Sequence, residues 1–138
     1  MKILQEYESP LRLKRFIVTK GKFERSVDCT EEMTLKVTPT YQMDDIGNGN
    51  YLVTLTLEIT DEKKYFIVEA TAQAEFFMEG DDGARFTQNM LAIMFPYLRS
   101  YVSLLTTQPE FPPIMLPTMN INAMVSKQPI RKQKQSRP

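Results

Sequence analysis

Between residues 65 and 78 the small and apolar residues fall on even positions: Phe66, Val68, Ala70, Ala72, Ala74, Phe76 and Met78. The odd positions are mostly polar, with Glu69, Thr71, Gln73 and Glu75 at their centre. A period of two belongs to a strand that turns one face to a core, and no helix satisfies it. Residues 51–60 alternate in the same way, with Tyr51, Val53, Leu55, Leu57 and Ile59 on one side. Residues 33–43 repeat the pattern through Met33, Leu35, Val37, Pro39, Tyr41 and Met43. Pro39 has no N–H to give to a ladder, so that strand belongs at a sheet edge or carries a bulge.

The connections between these stretches are short. DDIGNGN (44–50) holds glycines and asparagines, which accept positive φ and mark a tight turn. TDEKK (60–64) is a second, charged connection. Residues 11–27 form a fourth strand whose phase changes: Leu11 and Leu13 agree, whereas Phe16 and Val18 are out of step. A bulge, or burial on both faces, produces such a change. Four long strands with turn-like connections predict an antiparallel meander. The alanines of 70–74 leave room for another layer to approach closely.

After the turn EGDDG (79–83) the period changes. Leu91, Met94, Leu98, Tyr101 and Leu105 recur at spacings of three and four, and Met90 and Val102 widen the stripe. This is an amphipathic helix over 84–106. Pro96 lies inside it, yet the stripe keeps its register, so the expectation is one kinked helix with an unpaired carbonyl at Ala92. TTQPEFPPIMLPTMN (106–120) holds four prolines and is expected to run extended across the sheet or helix. Residues 121–126 form a short last helix with Asn120 as its N-cap. The expected fold is α+β: a four-stranded antiparallel meander, a long kinked helix, a proline-rich crossover and a short C-terminal helix, with the helices on one face of the sheet. Residues 1–126 read as a single domain and 127–138 as a basic tail without order.

The 138-residue chain has no histidine, which removes the commonest general base and most metal sites. Cys29 is the only cysteine, with no partner for a disulfide and no base to activate it. GNGN opens no helix and so is not a phosphate loop, and EGDDG lacks the later ligands of a calcium loop. Glu69 and Glu75 are six residues apart on a strand, about 20 Å, too far to act as one acid–base pair. An enzyme is not expected, nor is a cofactor. No apolar run reaches the roughly 18 residues of a membrane span, and the N-terminus MKILQEYESPLRLK lacks the pattern of a secretory signal, so the expected location is the cytoplasm.

Charge is unevenly spread. Lys127, Arg131, Lys132, Lys134 and Arg137 make the last twelve residues purely basic, leaving 12 basic against 17 acidic residues in 1–126. Such a tail is either a solvated segment or an electrostatic arm for nucleic acid or an acidic partner. The remaining signal is apolar. Nine methionines and fourteen Phe and Tyr residues are many for this length. Phe111, Ile114, Met115, Leu116 and Met119 fall in the crossover, where no regular face is offered to bury them. They either seal the core or present an adaptable binding surface.

The motifs MFPYLRSYVSLL (94–105) and FPPIMLPTMNINAM (111–124) resemble the SecB family of protein-export chaperones. That family carries a similar Phe-Pro-Tyr-x-Arg in its main helix, here Phe95, Pro96, Tyr97 and Arg99. Its Phe-Pro-Pro crossover is matched by Phe111, Pro112 and Pro113, and the opening of its last helix by Asn120, Ile121, Ala123 and Met124. RFIVTKGKFE (15–24) is a weaker echo of its first strand, and the resemblance extends over residues 11–126. It implies an ATP-independent cytosolic holdase, a dimer of dimers that keeps preproteins unfolded in apolar grooves and hands them to the SecA motor. It implies client binding by Leu35, Val37, Phe111, Ile114, Met115, Leu116 and Met119, and docking of the motor by Glu24 and Glu69. The chain departs from the family in three ways. The connection 26–33 has no aromatic residue, Gln108-Pro109-Glu110 replaces the usual Gly-Gly before Phe-Pro-Pro, and the tail is basic and cannot bind zinc. A dedicated partner, or nucleic acid on the tail, is the alternative reading.

Overall fold

The computed structural model describes residues 1, 9–80, 83–127 and 132–134. Four long antiparallel strands form the sheet: β1 (Leu11–Arg25), β2 (Lys36–Gly47), β3 (Asn50–Thr60) and β4 (Phe66–Met78). A 3-10 turn, Gly83–Phe86, leads into α1 (Thr87–Leu105), and α2 is Ile121–Lys127. A short strand, β5 (Lys132–Lys134), follows. The fold is α+β, with α1 against β4, β1 and β3, and α2 against α1.

The alternation read from the sequence is the burial pattern of the sheet. The odd positions of β3 from Tyr51 to Ile59 and the even positions of β4 from Phe66 to Met78 are all buried. Ala70, Ala72 and Ala74 are the centre of the buried face, where small side chains let α1 sit close. Gly21 of β1 is needed for the same reason, since a Cβ there would overlap the Tyr101 side chain of α1. The phase change in β1 is a pair of bulges, between Leu13 and Arg15 and between Val18 and Lys20. Each bulge returns an apolar residue to the helix side: Phe16 stands beside Ala74 and Phe23 beside Val68.

The strand order corrects the expected meander. It runs β1-β4-β3-β2-β5, so β1 lies beside β4 and not beside β2. Only β2, β3 and β4 form a meander, and the whole is a Greek-key arrangement run in reverse. The long connection 26–35 makes this possible, because a two-residue hairpin would have forced β1 and β2 together. The β2–β3 hairpin is tighter than expected. Asn48 and Gly49 are its two central residues, with φ of 57° and 79°, as a type I′ turn requires. The tail also departs from expectation: Lys132–Lys134 pairs in parallel with Met43–Asp45 on the outer edge of β2. An edge strand leaves a row of backbone groups ready to pair, and β2 is acidic at this point. The other residues of 128–138 lie outside the described residues, as do Asp81 and Asp82 of EGDDG.

Helix α1 begins three residues later than expected, at Thr87, after the 3-10 turn. It continues through Pro96, with Met90, Leu91, Met94, Phe95, Leu98 and Val102 buried on either side of the proline. Ala92 and Pro96 are both exposed, so the carbonyl that the missing N–H frees faces solvent. Asn120 caps α2: its Oδ1 accepts a hydrogen bond from the Ala123 N–H at 3.0 Å.

Candidate functional site

Between α1 and α2 the chain crosses one end of the sheet, and the crossing is held by hydroxyls. Thr106 donates to the Val102 carbonyl at 2.9 Å and accepts from the Ile114 N–H at 2.9 Å. Ser103 Oγ donates to the Ile114 carbonyl at 2.8 Å. Both backbone groups of Ile114 are therefore satisfied by side chains of one helix turn, in place of a neighbouring strand. Upstream, residues 108–111 make a tight turn with a bridge between Gln108 and Phe111. Pro109 takes its second position and Glu110 its third, with φ of 74°. That is the pattern of a type II turn, whose third position favours glycine.

Phe111 leaves this turn and lies under Arg25, the last residue of β1, whose guanidinium is 3.6 Å from the ring centroid. The same guanidinium is 5.9 Å from the Phe66 centroid, and Phe23 packs on Phe66 at 5.3 Å. Arg25 thus fastens the crossover to the end of the sheet.

Under the crossover is a cavity of about 390 Å³. Its roof is residues 112–117, its floor is Ile59 and Phe66, and its walls are Val37 of β2 and Leu35 just before that strand, with Cys29, Met33 and Arg25. The connection 26–33, which has no aromatic residue, shapes one wall through turns closed by Cys29 N–H to the Ser26 carbonyl (3.0 Å) and Met33 N–H to the Thr30 carbonyl (3.3 Å). The floor is steadied by Asp61, a buried carboxylate in the β3–β4 connection. It accepts from the Phe66 N–H at 2.8 Å and the Lys63 N–H at 3.1 Å. Burial pushes its pKa up, but the backbone donors, Phe66 first, outweigh burial and hold the carboxyl below its ordinary value.

Of the apolar residues singled out in the sequence, Leu35, Val37, Ile114, Met115 and Leu116 line this cavity. They are not equivalent. Leu116 is 3% exposed and belongs to the core, whereas Met115 is 70% exposed at the rim. Phe111 sits beside the cavity on Arg25, and Met119 is half-buried against the core further on. Glu24 and Glu69 are elsewhere. They lie at the register positions of the sheet face turned away from α1, where Glu69 pairs with Lys20 at 2.7 Å and Glu24 approaches Lys22 at 3.8 Å. The sequence reading missed Arg25, Cys29, Thr30, Glu31, Met33, Ile59, Phe66 and the three prolines Pro112, Pro113 and Pro117 as cavity residues. Met33 shares a phase with Leu35 and Val37 and was findable. Arg25 was not, because its contact spans the bulges of β1 and most of the chain.

The walls of the cavity are mostly apolar. Among the described residues no three His, Cys, Asp or Glu side chains gather as a metal site, and no helix is long and apolar enough to cross a membrane. Such a lining is suited to taking up apolar groups.

The family model described as preprotein translocase subunit SecB matches residues 19–133. The protein-export protein SecB of Cellvibrio japonicus is 31% identical over 90 residues, covering 60% of this chain and 54% of its own. That of Marinobacter nauticus is 31% identical over 98 residues, covering 66% and 59%. The chain thus spans little more than half the length of these curated relatives. Among solved structures, the SecB-like chaperone Rv1957 of Mycobacterium tuberculosis shares the fold with a TM-score of 0.62 at 17% identity, over 80% of this chain and 88% of that one. It was solved in complex with a ChAD peptide from the HigA1 antitoxin.

Proposed function

This chain belongs to the SecB family, and from that membership we propose that it is an ATP-independent holdase that keeps client polypeptides unfolded. The observation that carries the reading is the cavity under the crossover, with an exposed flexible methionine, Met115, at its rim and apolar walls beneath. An unfolded segment offers apolar side chains in no fixed order. A soft thioether surface accommodates them where a rigid specific pocket does not. Binding the unfolded form in preference to the folded one is all that a holdase requires.

The test is suppression of client aggregation without ATP. Met115→Asp puts a charge at the rim and disturbs no core residue, so it should weaken client binding by about tenfold while the melting temperature stays put. Met119 is a poorer choice, because it packs against the core. If Met115→Asp protects clients as well as the parent chain does, the cavity is not the client site.

Assembly as a dimer of dimers belongs to the same proposal. Strand β1 forms one edge of the sheet along fifteen residues, and α1 exposes Tyr97 (54%) and Leu104 (72%). Light scattering on a chromatographic peak should return a tetramer, and a clean monomer would overturn the assembly. Docking of SecA through Glu24 and Glu69 is the finer part of the proposal. Glu69 already holds Lys20, so a basic partner must displace that lysine. Handling of preproteins for export in the cytoplasm is the finer reading we take from the family, and service to one dedicated client is the alternative, for which the mycobacterial chaperone's complex with an antitoxin peptide is a point of comparison.

A further inference from the structure

Strand β2 touches the cavity at one end and the tail at the other. Leu35 and Val37 line the cavity, and Met43, Asp44 and Asp45 pair with Lys132–Lys134. Val37 and Met43 are six residues apart, about 20 Å along the strand. One side of β2 is paired with β3 along its whole length, from Lys36 to Gly47. Strand β5 therefore uses the other side, the same outer edge that runs on toward the cavity. An extended polypeptide leaving the cavity along β2 meets the tail within a short distance.

The tail is suited to this edge in charge and weakly held by its length. It brings Lys132 and Lys134 to register positions opposite Met43 and Asp45, with Asp44 between them. From residue 128 onward it carries four basic residues and no acid. Three residues of parallel pairing make a weak contact in isolation. The tail follows α2 after only four intervening residues, and such a short tether gives a high effective concentration at the edge. A tethered contact of this kind is populated yet readily displaced.

We propose that the outer edge of β2 is a strand-accepting surface continuous with the cavity, that the basic C-terminal segment of this chain occupies it, and that clients and this segment compete for it. The strand-accepting part stands on the pairing itself; the competition rests on the holdase reading. The tail then sets a threshold: a client must add enough strand and apolar contact to displace it.

The experiment compares the full chain, a chain ending at Lys127, and the full chain with Lys132→Glu and Lys134→Glu. Hydrogen exchange is followed without client at those amides of Met43, Asp44 and Asp45 that point away from β3. Affinity is then measured for reduced, carboxymethylated lactalbumin, a permanently unfolded probe. Both altered chains should exchange faster at these amides and bind the probe about fivefold tighter, the gain from removing a competitor that fills most of the sites. Unchanged exchange on truncation overturns the docked tail. Faster exchange with unchanged or weaker affinity overturns the competition and leaves the strand contact standing. A full chain and truncated chain that both fail to bind the probe overturn the holdase reading and the competition with it, while exchange still decides the docking.

Discussion

The guanidinium of Arg25 lies 3.6 Å from the centre of the Phe111 ring, joining the last residue of β1 to the first residue of the Phe-Pro-Pro crossover. The pair is half-buried, so it is worth about 1 kcal/mol. Arg25→Met keeps the stem but removes the charge. It should lower stability by about that amount in urea unfolding. A double-mutant cycle with Phe111→Leu should return the same coupling, and a coupling of zero would mean that the stack does not hold the crossover.

Glu110 pays for the turn that precedes it. At φ of 74° it occupies a left-handed conformation that costs a residue with a Cβ about 1 kcal/mol. Glu110→Gly removes that strain but adds freedom to the unfolded chain, so its net gain should be only a few tenths of a kcal/mol. Glu110→Val should cost more than 1 kcal/mol, because a β-branched residue fits the conformation worst. The order of stability should run glycine, glutamate, valine, and thermal melting of the three proteins checks it.

Asp61 makes a prediction about acid. Its folded pKa is depressed, so the stability it supplies is fully present above the ordinary carboxylate value, near pH 4, and is lost as pH falls through the lower folded value. Asp61→Asn should therefore be less stable than the parent by a constant margin at neutral pH. That margin should shrink below about pH 4. A margin independent of pH would assign the effect to packing and not to the charge.

Gly21 and Tyr101 form a steric pair between β1 and α1. Gly21→Ala should destabilise by about 1–3 kcal/mol through overpacking. Adding Tyr101→Phe removes the hydroxyl that a Cβ would strike first, and should recover part of the loss. A strictly additive pair of costs would show that α1 does not meet the sheet here.

What could be read from the sequence was local in character. The buried faces of β3 and β4 follow from alternation, because each side chain's direction is set by its own backbone. The cap on α2 and the stripe of α1 follow for the same reason. The pairing of β1 with β4 was not legible, since either neighbour satisfies the pattern of β1 and only the length of 26–35 tells against a hairpin. Phe111 could be suspected, but not the Arg25 that covers it, because two bulges intervene before the side chain's direction is known. The tail strand left no signal at all: Lys-Gln-Lys has no apolar period, and its place comes from the edge it meets.

Ile114 is gripped on both its backbone groups by Ser103 and Thr106, seven and ten residues beyond Pro96. That spacing makes the end of α1 a lever of about 10–15 Å with the proline at its fulcrum. A change of ten degrees at Pro96 would carry the roof of the cavity by about 2 Å, roughly half the width of a methylene chain. The same grip reads the helix by angle. One residue inserted between Pro96 and Ser103 would turn both hydroxyls by about 100° and take them away from Ile114. The aperture of the cavity is thus a property of the helix, fixed at a distance from the cavity itself.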